Sequence, residues 1–60
     1  MKLHCGMDLH GKNVLCSLTD ENDRVVAERR VPTKLDDVLK FLEPHREFIV
    51  NIVVESTYNW

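Results

Sequence analysis

The run Phe48-Ile49-Val50-Asn51-Ile52-Val53-Val54 constrains this chain more than any other stretch. A near-continuous β-branched segment of this kind marks a strand buried on both faces, typically in parallel pairing. Parallel strands need a crossover between them, and the preceding residues supply one. Leu35, Val38, Leu39 and Leu42 follow the i, i+3, i+4, i+7 spacing of a helix with one apolar face. Thr33 is placed as its N-cap, Asp36 falls in a capping-box position, and Asp37 also lies in the first turn. Pro44 stops or kinks this helix. A right-handed crossover onto the final strand is the expected connection.

The residues before Pro32 have a different period. Lys2 to Leu9 reads as a first strand, and His10-Gly11-Lys12 as a tight turn in which Gly11 supplies the permissive backbone. From Asn13 to Thr19, apolar Val14, Cys16 and Leu18 alternate with polar residues. Leu15 is the exception, and a period of two remains the better fit. Asp20-Glu21-Asn22-Asp23 has hairpin length, and Arg24 to Arg30 gives a third strand. The reading is an α/β chain: a three-stranded antiparallel meander, a crossover helix, then a strand parallel to the first.

Length bounds what this can be. Sixty residues make at most one small domain, and such a chain buries only roughly 60% of its unfolded surface. A hydrophobic fraction of 43% with 30% charged residues is ordinary for a folded domain and argues against disorder. The net charge of −2 argues against a dedicated nucleic-acid-binding module, which carries a basic excess. Two cysteines, Cys5 and Cys16, are too few for a disulfide framework, so buried thiols in a reducing cytoplasm are expected. There is no signal-peptide pattern at the start, and no apolar run approaches the roughly 18 residues of a membrane span.

Asp8 stands out against this background, because it lies inside GMDLHG, at the end of a strand with buried character. An ionised carboxylate is costly to bury unless it is paired, hydrogen-bonded or bound to a metal. If the last strand lies parallel beside the first, Glu55 comes to the same carboxyl edge. Alternation then puts His4, Gly6 and Asp8 on one face with Asn51, Val53 and Glu55. Leu3, Cys5 and Met7 fall on the other with Val50, Ile52 and Val54. Adjacent strands are about 4.8 Å apart, so Asp8 and Glu55 can share a divalent ion. Ligands of open α/β sheets gather beyond these carboxyl ends. Taken singly, Asp8 also reads as a turn-capping residue and Glu55 as a solvated strand end.

Gly6-Met7-Asp8-Leu9-His10 before the meander, with Ile52-Val53-Val54-Glu55-Ser56-Thr57-Tyr58-Asn59-Trp60 after it, resembles the N-terminal part of DEDD-type bacterial insertion-sequence transposases. Their first domain is RuvC-like, with a ribonuclease H-like fold. The resemblance covers nearly the whole chain and implies a truncated version of that fold over residues 1–60. It implies metal-dependent DNA cleavage and strand exchange by four acids, of which Asp8 matches the first and Glu55 the second. The ions implied are Mg²⁺ or Mn²⁺, and the partners are DNA and, in some members, a structured guide RNA. The remaining two acids and a serine nucleophile of the family lie outside these residues. The isolated chain is therefore expected to bind metal weakly and not to cleave DNA.

Other residues have competing readings. Lys12 and Asn13 are placed near enough to Asp8 to meet a phosphate, or simply form a solvated turn. His4, Cys5, His10, Cys16 and His45 are zinc-compatible types without the paired spacing of a structural zinc site. His10 either sits near the metal or, as the preferred reading, faces solvent. Arg24, Arg29, Arg30 and Lys34 form a loose basic cluster around the third strand, either a nucleic-acid contact or a solvated edge. The segment from Gly6 to Lys12 also resembles, more loosely, the first phosphate loop of actin-like ATPases and sugar kinases. A third reading is a non-enzymatic, self-associating remnant. The last strand then presents an unpaired apolar edge, and a homodimer or larger oligomer is expected to form through it, with Tyr58 and Trp60 joining the interface.

Overall fold

The chain follows the expected order of elements in a computed structural model, which describes residues 1–56. Strand β1 spans Leu3–His10, β2 Asn13–Thr19 and β3 Val25–Pro32; helix α1 spans Leu35–Leu42 and strand β4 Ile49–Ser56. A short 3₁₀ turn, Glu43–His45, follows α1, with Pro44 in its first turn. The four strands form one sheet in the order β3-β2-β1-β4. Both β1–β2 and β2–β3 are antiparallel, and β1–β4 is parallel. Tyr58 and Trp60, assigned above to an interface, lie outside the described residues.

Each connection has a local cause. His10 faces Asn13 across a two-residue hairpin in which Gly11 takes φ 60°. Glycine at the first loop position with positive φ is the pattern of a type II′ turn, whose twist matches that of the flanking strands. In the β2–β3 connection, Asp20 Oδ1 accepts hydrogen bonds from the backbone amides of Asn22 (2.8 Å) and Arg24 (3.0 Å). Asp23 beside them adopts φ 61°, a conformation that aspartate tolerates better than most residues.

The core lies on one side of the sheet. Leu3, Cys5, Leu18 and Leu42 form one buried cluster; Val14, Cys16 and Val31 form a second. Met7, Val38 and Phe41 pack against both and join them. Full burial of a side chain such as Leu3 or Leu18 is worth roughly 1.5–3 kcal/mol, so these few contacts carry much of the stability of so short a chain.

The helix is rotated from its expected orientation. Leu35 and Leu39, assigned to the buried face, are 72% and 51% exposed. Val38, Phe41 and Leu42 meet the sheet instead. Phe41 packs against both core clusters, while Leu39 lines a hollow with Ile49 and Ile52 on the β4 side. The helix also starts one residue later than expected. Lys34 is the N-cap and makes no side-chain cap hydrogen bond. Thr33 is tied to the β1–β2 turn: its amide donates to the Lys12 carbonyl (2.8 Å) and its hydroxyl to that of Gly11 (3.5 Å).

The apolar run of β4 is parallel to β1, as expected, but it is the edge of the described sheet and is not buried on both faces. Ile52, Val53 and Val54 are each about half exposed. The ladder register skips Val50, because Leu3 aligns with Ile49 and His4 with Asn51. That irregularity sets the phase of every later residue of the strand.

Candidate functional site

Among the described residues, the face of the sheet turned away from α1 holds none of the buried side chains. Across the β1–β4 ladder, His4 is aligned with Asn51, Gly6 with Val53 and Asp8 with Glu55. Register partners in a sheet project to the same side, so Asp8 and Glu55 are side-by-side carboxylates on this open face. They flank a shallow depression lined also by Gly6, Leu15, Ser17 and Val53.

The two oxygens of Asp8 have different surroundings. Oδ2 lies 2.9 Å from His10 Nε2, which donates to it. Oδ1 is shielded from solvent and has no hydrogen-bond partner among the described residues. A shielded carboxylate oxygen without a donor or a cation is costly, and such atoms are uncommon in folded proteins. An oxygen-seeking divalent ion would satisfy it, and Glu55 beside it would supply a second hard ligand. In that respect the residues fit a metal. Two carboxylates are nevertheless a partial ligand set. Among the described residues, no three His, Cys, Asp or Glu side chains gather as a group that could hold an ion.

Two further polar pairs frame the depression. His4 Nδ1 lies 2.6 Å from Asn51 Oδ1; an amide oxygen can only accept, so Nδ1 carries the proton. Ser17 Oγ donates to Glu28 Oε2 at 2.8 Å. Both pairs join neighbouring strands and hold the polar face in register.

No family model, curated protein or solved structure matches this chain at a significant level. The site therefore has to be judged on its own geometry.

Several sequence expectations are not brought together here. Lys12 and Asn13 line a separate hollow with Pro32, Thr33 and Lys34, away from the depression at Asp8. Lys12 belongs to the hairpin turn, and Asn13 opens β2 opposite His10. The basic residues do not form one cluster. Arg29 is aligned with Cys16, on the α1 side, and Arg30 with Leu15, on the open side, so adjacent positions of β3 point to opposite faces. Cys5 and Cys16 are buried free thiols. Burial pushes both above the usual thiol range, with proximity of Cys16 adding to the effect on Cys5.

His10, expected to face solvent, has a ring about half exposed and is also the partner of Asp8. The i, i+2 spacing within one strand already puts these two residues on one face. That signal was available in the sequence. The alignment of His4 with Asn51 follows in the same way from alternation, because the register from that pair to Asp8 and Glu55 is unbroken.

Proposed function

We propose that Asp8 and Glu55 are the first two acids of a Mg²⁺ or Mn²⁺ site for phosphodiester cleavage and strand exchange, in the N-terminal part of a DEDD-type transposase. The observation that carries this reading is the direct alignment of Asp8 with Glu55 on adjacent parallel strands, on a face left open by the helix. Bound metal of this kind supplies charge stabilisation to the attacking and leaving oxygens of the phosphodiester. Asp8 and Glu55 would hold such an ion, and His10 orients the Asp8 carboxylate through Oδ2. DNA is the substrate class and partner, with a guide RNA as an additional partner in this reading. These residues supply two of the four acids that this reading requires, so the chain alone is expected to bind metal without cutting DNA. Two buried free thiols suit a reducing cytoplasm. Among the described residues, no helix is long and apolar enough to cross a membrane.

The phosphate-loop alternative has less support. It needs the turn after β1 and Asp8 to converge on one phosphate, whereas Lys12 and Asn13 line a different hollow.

Self-association through β4 forms part of the proposal. Val50, Ile52, Val53 and Val54 are half exposed on the edge of the described sheet, and an apolar edge of this kind is a template for pairing with another chain. A second copy that pairs along β4 would satisfy its outward backbone groups.

The metal reading is tested by Mn²⁺-induced relaxation of backbone amide resonances. Millimolar binding is expected, centred on Asp8 and Glu55, in the range of the weakest carboxylate sites. Asp8→Asn and Glu55→Gln should each weaken it. Equal relaxation in the wild type and the double variant would sink the assignment.

A further inference from the structure

Gly6 lies in the middle of β1, where glycine weakens a strand and usually marks a bulge or a close approach by another group. Neither its backbone nor its packing requires glycine. Of the glycines, only Gly11 has a positive φ, and a Cβ built on Gly6 meets nothing within 4 Å. The β1–β2 ladder runs through Gly6 without a bulge, pairing it with Ser17.

A side chain at this position would instead stand in the depression. Gly6 is aligned with Ser17 on one side and Val53 on the other, and lies two residues before Asp8 on the same face. Its bareness leaves a floor of main chain between the apolar walls of Leu15 and Val53, with the two carboxylates at one end.

We propose that Gly6 is a clearance residue, which lets the sugar–phosphate backbone of a nucleic-acid strand approach the sheet beside Asp8 and Glu55. This inference rests on the metal reading above and adds the seat of the substrate to it. A sugar ring is thin enough to lie on bare main chain, its carbon face suits Leu15 and Val53, and its phosphate oxygens reach a metal held by the acids. A β-branched residue at position 6 would take up that space while favouring the strand.

Gly6→Val and Gly6→Ala should melt no lower than the wild type by circular dichroism, and both should keep the Mn²⁺-induced relaxation at Asp8 and Glu55. Binding of a ten-nucleotide oligothymidylate in the presence of Mn²⁺, followed by amide chemical shifts, should weaken at least tenfold in Gly6→Val and less in Gly6→Ala. Equal oligonucleotide binding by the wild type and Gly6→Val, or none by a wild type that binds Mn²⁺, overturns the clearance role and leaves the metal reading standing. Absence of Mn²⁺ binding in the wild type overturns both. A marked loss of stability in both variants shows that the glycine is structural, and overturns the clearance role alone.

Discussion

His10 Nε2 holds one oxygen of Asp8 at 2.9 Å, and the other oxygen of the same carboxylate is shielded, with no partner among the described residues. An uncompensated acceptor of this kind costs about 1–3 kcal/mol, more when charged. Asp8→Asn removes the charge with little change of shape. An amide atom would take the same shielded position, so unfolding free energy from urea melts is expected to stay within about 0.5 kcal/mol of the wild type, while Mn²⁺ binding weakens. A less stable Asp8→Asn protein would mean that the carboxylate serves the fold and not a ligand.

The half-exposed His10 should matter much less to stability. Partly exposed ion pairs contribute about 0–1 kcal/mol, so His10→Ala is expected to shift the urea midpoint only slightly. A loss well beyond that range would make the pair a structural element of the hairpin end.

The orientation of α1 makes a sharper contrast. Leu42→Ala should destabilise by about 2–5 kcal/mol, a large share of the roughly 3–9 kcal/mol available to a chain of this length. Leu35→Ala, at a largely exposed position, should change stability by no more than about 0.5 kcal/mol. Similar losses in both variants would favour the leucine-faced helix expected from periodicity.

The buried thiols give stability a sign with pH. Cys5 and Cys16 have folded values raised above the ordinary thiol range, chiefly by burial. Where a folded value is raised, the native state retains protons that the unfolded state releases. The contribution is therefore complete below the ordinary thiol range and is lost as pH rises through the raised values. Urea melts should show stability falling above about pH 9, and a Cys5→Ala, Cys16→Ala protein should show a shallower fall. Parallel profiles would assign the alkaline loss to other groups.

Sedimentation at low micromolar concentration tests the edge of β4. The wild type is expected to run as a dimer or larger, and Val54→Lys as a monomer, because a lysine on an edge strand opposes pairing. A monomeric wild type with cooperative unfolding would rule out the proposed contact.

Local patterns in the sequence carried most of the architecture. Alternation at Val14, Cys16 and Leu18 identifies a strand with one buried face, and all three are buried. Gly11 marks the hairpin, and the β-branched run at residues 49–54 marks the parallel strand. Periodicity was less able to orient the helix, because Leu35 and Leu39 satisfy the same spacing rule as Val38 and Leu42. Only the fit of Phe41 between the two core clusters decides between them. In the candidate site, the alignment of Asp8 with Glu55 followed from alternation and a parallel pairing. The separation of Lys12 from Asp8 did not, because proximity along the chain says little about which way a turn carries a side chain.

The β1–β4 ladder has a consequence for how the chain acquires this site. The meander closes through short turns, whereas β4 must return across most of the chain: His4 and Asn51, which bond across that ladder, are 47 residues apart. Pairing over so long a separation carries a large loop-closure cost. The same β1–β4 pairing that closes the sheet is what brings Glu55 to Asp8. An ion held by both carboxylates would act as a staple on that closure, drawing the folding equilibrium forward by binding only the closed form.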